Sequence, residues 1–331
     1  MINLLNLAEI LAAAVAGFLI GLFTLWMAGA LYFDVGRGSK FAKWLAAAWG
    51  VLLLSLFLLW QPWWQPFLLV LAIFAPFLVW WLSQKPSNDR DWNPNFVQLA
   101  RVVLEGDLVT IHNVRHTEYR SLTDFTVHYE TRAYHLSRLV RVDLLIVFWG
   151  SPLICHPLLV FDFGDDGRIC ASIEVRYRKG QKYGFFRSLY RQQELIYIYC
   201  DERDAILKRS KHSPNHDVYL YRIQAQTDEI QKVFLEYVVI TNNLAVRPRW
   251  YNGITTNCTT SFYRQRDHDL DWDLRWLLNG QLDHMIYDHG RLDNRIPFAE
   301  LKEKSRINEL ANEAPLEGFG DYIRQRLPAY Q

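Results

Sequence analysis

A cysteine at a predicted helix start, a histidine at a strand start and a carboxylate on the adjoining strand are the residues of this chain best placed for covalent chemistry. Cys258 lies in Trp250-Tyr-Asn-Gly-Ile-Thr-Thr-Asn-Cys-Thr-Thr-Ser-Phe262, where a loop rich in Asn, Gly and Thr runs into a predicted helix. Thr256 or Asn257 is the expected N-cap, which puts the thiol in the first turn. The positive end of a helix and its free N–H groups stabilise a thiolate, and the same amides can hold an oxyanion on an attacked carbonyl. A purely structural cysteine is the competing reading, although Thr and Asn neighbours do not build an apolar pocket for a thiol.

A thiol nucleophile needs a base. Of the ten histidines, His156 has the best setting, opening a predicted strand just after Trp149-Gly-Ser-Pro152, where a barrel strand would emerge at a cleft. An imidazole also needs an acceptor that fixes its tautomer. A turn centred near Asp165 and Asp166 sets position 156 opposite roughly position 175, with Glu174 and Arg176 on the partner strand. Glu174, in the otherwise apolar Ile169-Cys-Ala-Ser-Ile-Glu-Val175, is the expected orienter. A satisfied strand-end histidine and a half-exposed strand glutamate are the plainer alternatives.

Other chemistry is weaker. Cys155, Cys170 and Cys200 sit in apolar strand-like runs and read as buried small hydrophobes. There is no CxxC or Cys/His zinc spacing, and four cysteines make no disulfide scaffold in a chain of this size. The pairs His212/His216 and His284/His289 lie in polar loops. Asp267, Asp269, Asp271 and Asp273 alternate without the glycine turn and terminal glutamate of a calcium loop. No metal or other cofactor is expected.

These residues must be held by a chain of two characters. Over 331 residues the formal charge is +1, which argues against nucleic-acid binding through a basic surface. Residues 1–84 carry only Glu9, Asp34, Arg37, Lys40 and Lys43 as charges. Apolar runs predict three membrane spans, near 8–32, 43–60 and 66–82, the last two divided by Gln61-Pro-Trp-Trp-Gln-Pro66. The tryptophans there suit the headgroup level, and a secretory signal peptide fits poorly for want of a basic start and a cleavage site. Arg37, Lys40 and Lys43, with Lys85 and Arg90, lie on one side of such an arrangement. By the positive-inside rule that side is cytoplasmic, and the large domain is on it.

From Lys85 the chain turns polar, and its later segments read mainly as β. Strands are expected over 107–112, 143–149, 156–163, 168–176, 195–199 and 217–223, with Gly164-Asp-Asp-Gly167 as a hairpin turn. Residues 227–244 read as a helix, with Asp228 and Gln231 as a capping box and Val233, Phe234, Tyr237, Ile240 and Leu244 on its apolar face. The expected organisation is a membrane region over 1–84, a thiol domain over 85–265 and an extension over 266–331 with no legible chemistry.

Several strings together resemble one family. Ile111-His-Asn-Val-Arg-His-Thr-Glu-Tyr-Arg120 is similar to its N-V-R-N-F-x-Y-R opening. Ser151-Pro-Leu-Ile-Cys-His156 with Phe161-Asp-Phe-Gly-Asp-Asp-Gly167 is similar to its S-H-T-x-L-S-F-G-F-x-D-G hairpin. Ser172-Ile-Glu-Val-Arg176, Asp201-Glu-Arg-Asp204 and Thr256-Asn-Cys-Thr-Thr260 come next in the right order. These resemble the Lnb-type bacterial lipoprotein N-acyltransferases, over about 90–265. One departure is Cys155-His156-Pro157, which keeps the histidine of S-H-T and loses the flanking hydroxyls. The order His then Cys also resembles circularly permuted papain-like, NlpC-type thiol folds, including lecithin:retinol acyltransferase and its phospholipid acyltransferase relatives.

The resemblance implies an α+β architecture: transmembrane helices, then a permuted papain-like domain with an antiparallel sheet. It implies acyl transfer from a membrane phospholipid, through a thioester on Cys258 with His156 as base, to the α-amino group of a diacylglyceryl-cysteine lipoprotein. The lipid bilayer, the phospholipid and the diacylated lipoprotein are then the partners, with no nucleic acid. It also implies a multi-pass protein of the bacterial inner membrane with a periplasmic domain, against the charge count. Arg115, Tyr119 and Arg176, with Arg191 and Glu194, fall in or near the family motifs, and Tyr251 and Asn257 flank the cysteine as substrate-side candidates. Arg115 or Arg176 as a bidentate phosphate ligand and the same residues as structural ion pairs are both open. Two other functions compete: a thiol hydrolase acting as phospholipase, amidase or peptidase, and a non-catalytic module that binds lipid or a partner.

Overall fold

The computed structural model describes residues 4–60, 62, 64–213, 215–264, 274–276 and 279–327. The aspartates 267, 269, 271 and 273, and Gln61 and Trp63 of the inter-span break, lie outside the described residues. The chain divides into two compact units, Met1–Pro86 with Gly184–Gln192, and Ser87–Tyr183 with Gln193–Gln331.

The first unit is helical. It holds α1 (Leu4–Ala30), which runs into a π-helical turn at Leu31–Val35, then α2 (Lys40–Leu59) and α3 (Trp64–Ser83). Ser39 caps α2 by accepting from the Ala42 N–H, which fixes its start at the polar loop. Three helices, Ile10–Val35, Lys40–Leu59 and Trp64–Ser83, are long and apolar enough to cross a membrane. Met27, Trp49, Leu53, Val70 and Phe74 form a small core between them. Most other large apolar side chains, Leu11, Phe18, Leu25, Trp44 and Leu58 among them, point outward. A surface of that kind suits lipid better than water.

Gly184–Gln192, which contains α4 (Phe185–Ser188), belongs to this unit although it leaves the middle of the second. Tyr190 donates its hydroxyl to Trp26 O at 3.3 Å, and Gln192 donates to Asp34 Oδ1 at 2.7 Å. Gly29 makes room for the tyrosine, since a Cβ there would lie 1.7 Å from its hydroxyl oxygen.

The second unit is built on an eight-stranded sheet. Its strands are β1 (Arg101–Glu105), β2 (Leu108–Tyr119), β3 (Phe125–His135), β4 (Arg141–Trp149), β5 (Cys155–Asp162), β6 (Arg168–Arg176), β7 (Glu194–Cys200) and β8 (His216–Arg222). They lie in the order β1-β2-β7-β6-β5-β4-β8, with β3 also paired to β2. The sheet is open, so the barrel setting expected for His156 does not arise. It is also mixed rather than wholly antiparallel, because β2 and β7 run parallel.

β4 to β7 are buried on both faces, which is why they read as near-continuous apolar runs instead of alternating ones. One apolar layer packs beneath α6 (Thr227–Val246) and takes in Phe161, Ile173, Phe234 and Tyr237. The other lies against α5 (Glu202–Ser210) and takes in Val160, Ile198, Ile206 and Leu310. The capping box of α6 is Gln226 with Glu229, two residues before the expected Asp228 and Gln231, and the helix starts at Thr227 as expected. Residues beyond 266 contribute Leu282, Met285, Leu310 and Ile323 to these layers and are part of the packed unit.

Candidate active site

The β5–β6 hairpin sets the base against its acid. Leu158 pairs Ser172 and Leu159 pairs Ala171, so the register carries His156 against Glu174, one residue from the expected position. Residues facing each other across antiparallel strands share a face, which turns both side chains the same way. His156 Nε2 lies 3.1 Å from Ser172 Oγ and 3.4 Å from Glu174 Oε1. Ser172 donates its hydroxyl to the same carboxylate oxygen at 2.8 Å, and so relays between ring and acid. Arg209 of α5 donates to that oxygen from the other side, also at 2.8 Å.

The thiol arrives from the opposite layer. Asn257 is the N-cap of the helix Cys258–Arg264, α7: its Oδ1 accepts from the Thr260 N–H at 2.8 Å, while Thr260 Oγ1 accepts from the Asn257 N–H at 3.0 Å. That reciprocal pair uses Thr where a capping box usually has Glu, and it leaves Cys258 as the first helical residue. Asn252 tightens the preceding loop, its Oδ1 accepting from the N–H groups of Ile254 and Thr255. The Cys258 thiol lies near enough to the His156 ring to act on its protonation.

The electrostatics favour a charged ring. Burial works against the imidazolium, but the Cys258 and Glu174 hydrogen bonds outweigh it and raise the His156 pKa to about 9. Burial would lift the Glu174 carboxyl, yet His156, then Arg209 and Lys208, hold it well below the ordinary carboxylate range. An imidazolium–carboxylate pair therefore stands near the sulfur at neutral pH. Replacing Glu174 by Gln removes one of the groups that raise the histidine. Alkylation of Cys258 by iodoacetate, an anion that the imidazolium attracts, should fall through about pH 9 in the wild type as the ring loses its proton. In Glu174→Gln that limb should move to lower pH; a limb that stays in place would contradict the assigned contact.

Apolar side chains surround this set. Trp149 stacks on His156 with centroids 5.9 Å apart, and Tyr183 meets Trp149 edge-on at 5.8 Å. Trp149, Tyr183, Leu153 and Ile154 are all exposed, the last two directly preceding Cys155-His156. Tyr251 is buried near the thiol, and burial, then Cys258, pushes its hydroxyl pKa well up.

The other candidates from the sequence lie away from this set. Arg115 is buried and forms a bidentate pair with Asp204 at 2.9 and 2.7 Å, with its remaining nitrogen on Asn95 O. Arg176 donates to Phe96 O, Val97 O and Asn88 Oδ1 and stacks 4.1 Å from the Trp92 ring centre. Its donors thus pin the 88–97 segment against β6. Tyr119, at the end of β2, is half-buried beside His212. Glu194 is buried and paired with Arg90 at 2.6 Å, and Arg191 caps the end of α3 through Leu82 O and Gln84 O. Cys155, Cys170 and Cys200 are buried and unbridged. Among the described residues no group of three His, Cys, Asp or Glu side chains could hold a metal ion.

Sequence reasoning misses two contributors, Ser172 and Arg209. Strand parity is a usable signal for the serine, which shares a face with Glu174 two residues on. Arg209 has none, because its helix meets the sheet through a non-local crossover.

No curated protein and no solved structure matches the chain. Residues 125–268 match the family model described as Lnb N-terminal periplasmic domain, a stretch that holds His156, Glu174 and Cys258, and the match is consistent with the Lnb-type family that the motifs resemble.

Proposed function

We propose that this protein is a membrane-held thiol acyltransferase that N-acylates lipoproteins. The observation that carries the reading is the Cys258–His156–Glu174 arrangement, with the thiol near the imidazole and the carboxylate 3.4 Å from its Nε2. His156 takes the Cys258 proton and the sulfur attacks an ester carbonyl of a phospholipid. First-turn amides of α7 face the developing oxyanion. Collapse breaks the ester C–O bond, His156 returns the proton to the leaving oxygen, and lysophospholipid departs. The α-amino group of a diacylglyceryl-cysteine then attacks the thioester, His156 takes its proton, and the amide and free thiol result. Splitting the transfer in two means that the bulky lipid substrates need not be bound together. The apolar rim of Trp149, Leu153, Ile154 and Tyr183 suits acyl chains, and three apolar helices suit substrates held in a bilayer.

The family match over 125–268 favours a periplasmic domain over the cytoplasmic side given by the charge count. The protein is accordingly a multi-pass protein of the bacterial inner membrane, with papain-like chemistry on its outer face. Purified protein in liposomes, supplied with a synthetic diacylglyceryl-cysteine peptide, tests the acceptor. N-acyl peptide should form in step with lysophospholipid. Free fatty acid released at the same rate with and without peptide would make the protein a hydrolase instead.

A further inference from the structure

The base and the nucleophile come from segments about a hundred residues apart in sequence, and one side chain from the C-terminal region touches the neighbour of each. Asn279, in a 3-10 turn at Asn279–Gln281, accepts from the Cys155 N–H through Oδ1 at 3.1 Å and donates through Nδ2 to Cys155 O at 2.7 Å. Its Nδ2 also donates to Thr259 Oγ1 at 2.9 Å, and its carbonyl accepts from the Cys155 thiol at 2.9 Å. Cys155 immediately precedes His156, and Thr259 immediately follows Cys258 and is fully buried.

The sheet explains why such a clamp is needed. β5 pairs β4 along its whole length, from Phe148 against Cys155 onward, whereas β6 joins it only from Leu158. Pro157, of the same strand parity as Cys155, has no N–H to give on that side. The first residues of β5, His156 among them, therefore have no backbone ladder to β6, and the Asn279 amide supplies a donor and an acceptor at Cys155 in the manner of a strand. Gly280 permits the approach. A Cβ on it would lie 2.3 Å from Pro152 O and 2.5 Å from the Leu153 carbonyl carbon, both backbone atoms that cannot swing aside.

We infer that Asn279, seated by Gly280, is a positioning residue that locks the His156 strand to the Cys258 helix and so sets the thiol–imidazole geometry. The inference rests on the nucleophile and base assigned above, and it brings a residue outside the matched 125–268 segment into the site. Asn279 reaches the reacting pair through Cys155 and Thr259, so its loss should misplace the pair without removing either group.

The test follows iodoacetate alkylation of Cys258 by peptide mass spectrometry across pH, in the full-length protein in nanodiscs, for wild type, Asn279→Ala, Thr259→Val and the double variant. Thr259→Val keeps the side-chain shape and deletes the hydroxyl that Asn279 holds. Asn279→Ala should slow alkylation by about tenfold or more, within what a misplacement of roughly 1 Å costs between reacting groups. It should also lower the pH of the limb expected near 9, and the double variant should fall well short of the summed single effects, as for residues acting through one contact. Gly280→Ala should act in the same direction. A merely structural asparagine would lower the melting temperature and leave rate and limb of the folded protein where they were, which overturns the inference. So does full additivity with Thr259→Val; where Asn279→Ala does not fold, Thr259→Val decides alone, and an unchanged rate and limb in it overturn the inference. A wild type with no limb near 9 and no enhanced reactivity overturns the thiol–imidazole reading together with it, and so is told apart from failure of the lock alone.

Discussion

Cys258→Ser is expected to lower lipoprotein N-acylation by about 10⁴-fold or more while leaving the domain folded. Serine keeps the shape of the side chain at the first position of α7, and the cap is made by Asn257 and Thr260, not by the thiol. What changes is the nucleophile. An imidazole whose pKa is raised to about 9 exchanges a proton readily with a thiol, and far less readily with an alcohol. Steady-state transfer from phospholipid to a diacylglyceryl peptide, beside a melting curve in the same detergent, measures both halves. Activity within tenfold of wild type in a folded Cys258→Ser protein would take the sulfur out of the mechanism. It would favour a module that binds lipid or a partner without chemistry.

The second large effect is on stability. Asp204→Ala is expected to cost about 3–5 kcal/mol, because it leaves the Arg115 guanidinium buried without its counter-charge. The pair is closed on both sides, with side chains 2% and 0% exposed, and joins β2 to α5, the helix that also carries Arg209 to Glu174. At roughly 2–4 °C per kcal/mol for a domain of this size, the melting temperature should fall by about 6–20 °C. A paired change of Arg115 and Asp204 to apolar residues of similar volume should recover most of that loss. The same variants settle the role of the arginine. If Arg115 gripped a phosphate, Arg115→Met would raise the KM for phospholipid and barely move the melting temperature, whereas the buried pair predicts the reverse.

Much of this architecture was legible because the signals were local. The spans read at 8–32, 43–60 and 66–82 appear as helices within a few residues of those bounds, as apolar length alone dictates. The β5–β6 hairpin was legible from its Gly-Asp-Asp-Gly turn, and counting back from that turn brought His156 and Glu174 together to within one residue of register. The cap before Cys258 was legible for the same reason. The features hidden from the sequence depend on contacts between distant segments. The parallel meeting of β2 and β7 at Arg115 and Cys200 has no local mark, and neither does the crossing of α5 that delivers Arg209. Asn279 and Gly280 read as an ordinary turn, since their meaning comes from the Pro152–Cys155 backbone they touch. For Arg176 the motif left a phosphate ligand and a structural partner both open, and its donors are taken by Phe96 O, Val97 O and Asn88, an outcome fixed by where the linker folds back.

The proposed chemistry stands on a covalent acyl–Cys258 intermediate. Intact-protein mass spectrometry of wild type and Cys258→Ala, each incubated with phospholipid and no acceptor, tests it most directly. The wild type should gain one fatty-acyl mass that hydroxylamine removes and that transfers on addition of a diacylglyceryl peptide, with lysophospholipid as co-product; Cys258→Ala should show neither adduct nor lysophospholipid. An adduct that persists in Cys258→Ala, or transfer by the wild type through no adduct at all, would contradict the mechanism.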